Sequence, residues 1–446
     1  MSSTLLHKHD VLPHRRALSD AQARELLSIL GQQHILEHYK ALDRDEQSHL
    51  LHSIELAQIE SSLREFRNAT DALTRRPTRN LSPARANAVS HTVDGSDTFF
   101  NRGLDRIADN QCAVILLAGG QGTRLGYDVP KGEINIGLPS HKSLYQLHFE
   151  KANKLASLAH ERACTTSGGE PRSASSVSLP VYVMTSHATH DRTREFLSSH
   201  DHFGVPKRDV MLFQQSEHAC VDKSGNLMLQ SRCELARSPD GNGGVFKALH
   251  QSGALDDMRD RGILAVHVCS VDNALAPTGD PELLAHCIEN DLQAVAKVTP
   301  KSSPEESVGV FAHDNTADSS GGSLCVVEYS ELSTEKAYQR EPTTGELAFN
   351  AANVAMHAFS IGFLEECAHS ETCSSVHLAE KKVPFLSSDG THIVHPEVKN
   401  AYKLESFIFN AFQLATRTSL VQTSREEFAP VKNSHGSLDH AHRSSL

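Results

Sequence analysis

The chain has 446 residues, of which 39% are hydrophobic and 22% charged, and its formal net charge is -12. That length allows two or three domains with a sizeable buried core, and no apolar run reaches the roughly 18 residues that a membrane span needs. The acid excess argues against nucleic acid, whose phosphates are held by broad basic surfaces; a phosphorylated ligand would be a small one, met by a few cations gathered in one pocket.

The segment Met1 to Arg16 lacks the apolar stretch of about 7–15 residues that marks a secretory signal. The 9 cysteines, with no Cys-x-x-Cys pair, therefore read as reduced thiols, and the cytosol is the expected compartment. The first hundred residues read as a helical region, 1–100. Ser19 and Gln22 form a capping box, Ala23, Leu26, Leu27 and Leu30 follow a helical period, and Gly31 is placed as a stop. Further helices are expected over about 34–42 and 44–68. His34 and His38 share a helix face, but no glutamate follows the first as a His-Glu-x-x-His zinc site requires. The polar stretch Arg75 to Asp97, with Pro77 and Pro83, reads as a connection or an embracing arm.

From Cys112 the pattern changes. Cys112-Ala-Val-Ile-Leu-Leu-Ala118 is an unbroken apolar run, as in a strand buried on both faces. Similar runs occupy 180–185, 210–214, 263–271, 292–298, 308–312 and 324–329. Helical patterns lie between them: one begins at Ser143, capped with Gln146, and runs to about Leu158; another has Asp280 as N-cap and Pro281 in its first turn. This alternation predicts an α/β fold, a doubly wound, Rossmann-like mixed sheet, over 101–420. Thr165 to Ser178 and Asp314 to Ser323 read as surface insertions, and 421–446 as a tail.

The strongest chemical signal is Leu117-Ala-Gly-Gly-Gln-Gly-Thr-Arg-Leu-Gly126, followed by Pro130-Lys-Gly132. It directly follows a buried strand, where open α/β sheets bind ligands. Gly119, Gly120 and Gly122 let backbone N–H groups approach phosphates, while Arg124 and Lys131 add positive charge. Neither the P-loop ending nor the G-x-G-x-x-G spacing is present. Asp272 ends the run 263–271, so its carboxylate would emerge at the same sheet edge; it suits a Mg²⁺ ligand or a cap of the next turn. His267 and Cys269, alternating with apolar neighbours, read as core or supporting residues.

Segment 115–151 resembles the signature of eukaryotic UDP-N-acetylglucosamine pyrophosphorylases, including Pro130-Lys-Gly132 and Asn135-Ile-Gly-Leu-Pro139. The related UDP-glucose pyrophosphorylases have Asn-Gly-Gly-Leu-Gly-Thr where this chain has Ala118-Gly-Gly-Gln-Gly-Thr123. The resemblance continues through Phe213-Gln-Gln215, Pro239-Asp-Gly-Asn-Gly-Gly244, Val271-Asp-Asn273, Val308-Gly-Val310, Val327-Glu-Tyr-Ser-Glu331, Phe349-Asn-Ala-Ala-Asn353 and Lys403-Leu-Glu-Ser-Phe407, covering roughly 20–433.

The resemblance implies a uridylyltransferase making UDP-N-acetylglucosamine and pyrophosphate from UTP and N-acetylglucosamine 1-phosphate, with Mg²⁺, as a monomer or weak homodimer. It implies that Gly120, Gln215 and Gly241 read the uridine and that Asn242 meets the acetamido group. Gly309, Glu328, Tyr329 and Asn353 would hold sugar hydroxyls, Phe407 and Phe409 wall the N-acetyl pocket, and Arg124, Lys131, Lys403 and Lys432 neutralise phosphates. Without the resemblance, Phe407 and Phe409 read as core aromatics, Glu328-Tyr329 is unspecific and Lys432 is a solvated charge. Two departures stand out: Ala352 replaces a family glycine beside Asn353, and the resemblance leads to the expectation of a further C-terminal domain, which the stretch after Lys432 does not resemble. The final Ser444-Ser-Leu446 resembles the peroxisomal Ser-Lys-Leu address without its basic residue. A broader UDP-sugar pyrophosphorylase and a non-catalytic UDP-sugar-binding protein are the competing readings.

Overall fold

The computed structural model describes residues 19–74, 79–88, 98–166, 177–316 and 322–431. Lys432, the core of each low-complexity insertion and the terminal Ser-Ser-Leu lie outside them. The chain forms two compact units that do not follow the expected 1–100, 101–420 and 421–446 division. One, the N-terminal unit, combines Met1–Arg76 with Ser216–Asn242 and Ser375–Phe407; the other, the sheet unit, takes Pro77–Gln215, Gly243–Ser374 and Ile408–Leu446.

The physical reason lies in the N-terminal helices. The Asp20–Ile29 helix begins with the capping box of Ser19 and Gln22, and Gly31 turns the chain at φ 75°. The expected single helix over 44–68 is instead two, Arg44–Leu56 and Ile59–Thr74, broken where Gln58 adopts φ 43°. These short amphipathic helices cannot bury their apolar faces alone. Leu27, Ile35, Leu50, Ile54 and Leu63 share a core with Ala219, Val221, Leu235 and Leu404, which come from strands far along the sequence. His34 and His38 spend their Nε2 atoms on backbone carbonyls, of Leu227 at 2.8 Å and Arg232 at 2.6 Å.

Among the described residues, the sheet unit is built on 11 strands. In chain order they are β1 (Leu81–Pro83), β2 (Asn87–Ala88), β3 (Cys112–Leu117), β4 (Val181–Thr185), β5 (Val210–Gln214), β6 (Ala265–Ser270), β7 (Ala294–Pro300), β8 (Val310–Asp314), β9 (Ser323–Val327), β10 (Ala351–Ser360) and β11 (Thr418–Gln422). The main path runs β2-β11-β7-β10-β6-β3-β4-β5, with β1, β8 and β9 at its side. Neighbours β6, β3, β4 and β5 are parallel, while β10 runs antiparallel between β7 and β6. The mixed sheet expected from sequence is therefore present.

Every residue of β3 is buried. Cys112, Val114 and Leu116 join a core with Leu104 and Ile107, with Leu144 and Phe149, and with Leu283 and Leu284 from surrounding helices. Ala113 and Ile115, pointing to the other face, are equally buried, so both faces are covered and the uninterrupted apolar run follows. The Leu144–Thr166 helix extends beyond the expected Leu158, and Asp280 caps its helix with Pro281 in the first turn. Two stretches read as loop or tail belong to the sheet: the expected connection around Pro83 supplies β1 and β2, and residues 418–422 form β11 beside β7.

Candidate functional site

Strands β3, β4, β5 and β6 are parallel, so their carboxyl ends meet along one edge. Ser270 pairs with Leu117, Leu117 with Met184, and Thr185 with Gln214. The glycine loop leaves β3 there and folds back on itself: Gly122 N donates to Val129 O at 2.8 Å and Lys131 N to Gly120 O at 3.0 Å. The glycines serve different ends. A Cβ on Gly122 would lie 2.6 Å from Ile134 Cδ1, a packing constraint, whereas one on Gly119 would lie 2.1 Å from Gln215 Nε2. Gly120 has only an ordinary contact with Lys131 Cδ at 3.7 Å, so its backbone stays open to a ligand. Arg124 is exposed on the loop's 3₁₀ turn.

The return of the loop sets Lys131 against Asp272, which follows β6. Their Nζ and Oδ2 are 3.1 Å apart, and the same ammonium donates to Val431 O at 3.3 Å. The segment 423–431, expected as tail, is strapped across this edge. Val431 N donates to Asp272 O at 2.8 Å. Asn273 donates through Nδ2 to Glu427 O at 3.0 Å and accepts Ala429 N at 3.2 Å. Glu427 also pairs through Oε2 with Lys297 Nζ at 2.7 Å, and Lys297 pairs with Asp280 at 2.5 Å. Lys297 is only 2% exposed. Burial pulls its pKa down, but the Asp280 and Glu427 carboxylates outweigh that and hold it above the ordinary lysine value.

Gln215 follows β5, fixed by Gln215 N to Thr185 O at 2.9 Å. Its side chain is 8% exposed, and Oε1 is buried without a hydrogen-bond partner. A buried acceptor left unmade is costly, and a ligand N–H could complete it; the Nε2 end of the same amide is the one that stands against Gly119.

A further cluster forms at the start of β10. Val268 pairs with His357 in the antiparallel β6–β10 ladder, so Asn353 lies toward the β6 end that carries Asp272. Asn353 N donates to Gly309 O at 2.9 Å, and a Cβ on Gly309 would lie 3.1 Å from Glu328 Oε1. Gly309, Glu328 and Asn353 are thereby assembled. Tyr329 is 53% exposed, Phe409 is 7% exposed in the turn Ile408–Asn410, and Ala352 is buried between Thr299 of β7 and Val310 of β8. Successive strand side chains leave opposite faces, so the Ala352 methyl and the Asn353 carboxamide do not share a face.

Gly241, Asn242, Lys403 and Phe407 belong to the N-terminal unit. There Gly241, at φ 95°, abuts Ser406, whose carbonyl would be 2.5 Å from an added Cβ. Ser406 ends the strand that carries Lys403 and leads to Phe407, whose ring lies 4.8 Å from that of His377. Lys432 lies outside the described residues.

For a divalent ion, the described residues offer no group of three or more His, Cys, Asp or Glu side chains. Asp272 instead offers one carboxylate: Oδ2 faces Lys131, and Oδ1 has no hydrogen bond among the described residues. One carboxylate beside a glycine-rich loop open to a ligand fits Mg²⁺, which takes one or two carboxylates and completes its shell with phosphate oxygens and water.

Sequence reasoning assigned no role to Asn273, Lys297, Glu427 or His357. Lys297 carried a signal, a lysine inside the apolar run 292–298; Glu427 carried none.

Residues 63–443 match the family model described as UTP–glucose-1-phosphate uridylyltransferase. UDP-N-acetylglucosamine diphosphorylase 2 of Arabidopsis thaliana is 38% identical over 422 residues, covering 93% of this chain and 80% of that protein. UDP-N-acetylhexosamine pyrophosphorylase-like protein 1 of Homo sapiens is 36% identical over 427 residues, with 93% and 81% covered. Among solved structures, the uridine diphosphate N-acetylglucosamine pyrophosphorylase of Trypanosoma brucei, in complex with an inhibitor, superposes with a TM-score of 0.79. It is 28% identical, with 96% of this chain and 84% of that chain covered.

Proposed function

The chain belongs to the UTP–glucose-1-phosphate uridylyltransferase family, and from that premise we propose that it joins UTP to N-acetylglucosamine 1-phosphate, forming UDP-N-acetylglucosamine and pyrophosphate. The observation that carries this reading is the contact of Lys131 with Asp272 at 3.1 Å, at the lip of the glycine loop. It places a cation and a carboxylate beside backbone that is open at Gly120.

In the proposed reaction a phosphate oxygen of the sugar phosphate attacks the α-phosphorus of UTP in line. One P–O bond forms, and the bond to the bridging oxygen of the β-phosphate breaks. The attacking oxygen is anionic at neutral pH, so no general base is needed. Positioning and electrostatic stabilisation then supply most of the rate. Lys131 and Arg124 would hold phosphate oxygens. Mg²⁺ held by Asp272 would supply positive charge against the phosphates. Gln215 Oε1 would accept the imide N–H of uracil, which cytosine lacks. Gly120 would border the nucleoside. Gly309, Glu328, Tyr329 and Asn353 would hold sugar hydroxyls, with Phe409 beside the N-acetyl methyl.

A pyrophosphate-release assay with UTP, Mg²⁺ and N-acetylglucosamine 1-phosphate tests the proposal. Release confined to the complete mixture is expected. Release no greater than with UTP alone overturns it, and faster release with glucose or galactose 1-phosphate would reassign the sugar.

A further inference from the structure

The β10 strand is irregular where Asn353 sits. Along β7, Ala296 and Val298 are two residues apart, yet their partners His357 and Asn353 are four apart. The extra β10 residues form a bulge, and at its centre Ala355 adopts φ 56°. A residue with a Cβ held in that region stores strain, which persists only where the surroundings impose it, and bulges commonly re-aim a side chain beside a site.

Here the re-aimed side chain is Asn353. Its Oδ1 accepts Ala355 N at 3.0 Å and faces His357 Nε2 at 3.2 Å. A backbone N–H can only donate, so the amide oxygen, not the nitrogen, must point into the bulge. His357 Nε2 must then carry the proton. Its other nitrogen, Nδ1, is buried without a partner, and burial holds the imidazole neutral, with its pKa down at about 3. The ring is 1% exposed and packs against Phe359 and Phe412 at 5.9 and 5.5 Å. Asn353 Nδ2 has no hydrogen bond among the described residues, and the Asn353 backbone is tied to Gly309, close to Glu328.

We propose that His357 is a positioning residue for sugar selection: with the Ala355 bulge it locks the Asn353 carboxamide so that only its NH₂ is offered to the ligand, selecting a sugar with an acceptor oxygen there. The inference rests on the sugar-phosphate reading above. It differs from that reading in assigning the donor polarity of Asn353 jointly to the Ala355 backbone and to a buried histidine that never meets the substrate.

The test pairs enzyme variants with substrate analogues. Wild-type enzyme is assayed with N-acetylglucosamine 1-phosphate and its 3-, 4- and 6-deoxy analogues, alongside His357→Phe, which lacks a donor, and His357→Gln, which keeps one. One deoxy analogue should cost the wild type about 10–100-fold in kcat/KM. In His357→Phe that penalty should fall below about twofold, because the oriented donor is already lost; KM for UTP should hold, and His357→Gln should restore part of the penalty. If His357→Phe does not fold, His357→Met, more adaptable in a tight core, repeats the comparison. A folded donor-less variant that keeps the full penalty overturns the inference, as does a wild type indifferent to all three analogues. Absence of turnover with the intact sugar phosphate would instead overturn the functional reading.

Discussion

Lys131 and Asp272 lie 141 positions apart in the chain, yet the ammonium of one is 3.1 Å from the carboxylate of the other. Two adjacent parallel strands bring them together, β3 delivering the glycine loop that returns at Lys131 and β6 ending just before Asp272. Substituting Lys131 by alanine should lower turnover by about 10²–10³, the usual cost of losing one preorganised group aimed at developing charge. Arg124→Ala should do likewise and, its side chain being exposed, should melt near the wild-type temperature. Lys131→Ala should stay folded but melt somewhat lower, because Asp272 and the Val431 carbonyl lose their partner. Steady-state kinetics with thermal melting checks this; near-wild-type turnover in both removes the two cations from the reaction.

Asp272→Asn keeps the size of the side chain and a partial contact with Lys131 while removing the charge that would anchor a divalent ion. The expected result is a large rise in the Mg²⁺ concentration needed for half-maximal turnover. An unchanged magnesium titration would free Asp272 from any role as metal ligand.

How much of this was open to sequence reading depends on how local each signal is. The buried strands were legible because a strand covered on both faces must be apolar throughout, as Cys112–Leu117 is. The loop was legible because its glycines answer a backbone requirement within one short segment. Contacts made across the chain were not. Glu427 looks like any surface acid until β11 brings it to Lys297, and nothing local tells that Gln58 will break a helix. The N-terminal helices advertise an apolar face but not the partners, Ala219 and Leu404, that cover it.

The strap offers a direct test of one such contact. Lys297→Met leaves Asp280 and Glu427 without their cation, and breaking a buried ion pair from one side costs about 3–5 kcal/mol; a markedly lower melting temperature is expected. Glu427→Ala should be milder, because Lys297 keeps Asp280, but it should loosen 423–431 and with it the Val431 carbonyl that holds Lys131. Faster hydrogen exchange in that segment together with reduced turnover is the expected pair of results. Exchange unchanged in Glu427→Ala would show that the other ties, those of Asn273 and Asp272 among them, hold the strap without Glu427.

Three fully buried histidines predict an acid limb to stability. Burial holds His148 and His357 at a pKa of about 3 and His267 at about 4, below the ordinary 6.5. With the folded pKa depressed, the unfolded chain takes up protons first. Stability is therefore complete well above pH 6.5 and is lost as pH falls through 6.5 toward about 4 for His267 and about 3 for His148 and His357, with a slope of about 1.4 kcal/mol per pH unit for each fully titrating histidine. The melting temperature should already fall between pH 6.5 and 5, ahead of most carboxylates. A flat profile across that interval would contradict the prediction.

Two of the loop's glycines, Gly119 and Gly122, separate recognition from packing. An alanine at 119 would put its Cβ 2.1 Å from Gln215 Nε2, the end of a flexible side chain, so the amide must turn aside while the backbone stays. Oε1 would then no longer stand where it can take the imide N–H of uracil, and the loss should appear as a higher KM for UTP, by about 10-fold for one hydrogen bond to a buried acceptor. An alanine at 122 would press on Ile134 Cδ1 at 2.6 Å and on the Val129 carbonyl at 3.1 Å. Side chain and backbone must both yield there, so the effect should fall on stability, at about 1–3 kcal/mol for overpacking. Measured side by side, Gly119→Ala should keep its melting temperature and lose affinity for UTP, whereas Gly122→Ala should lose melting temperature first. If Gly119→Ala leaves KM for UTP unchanged, Gln215 does not read the base.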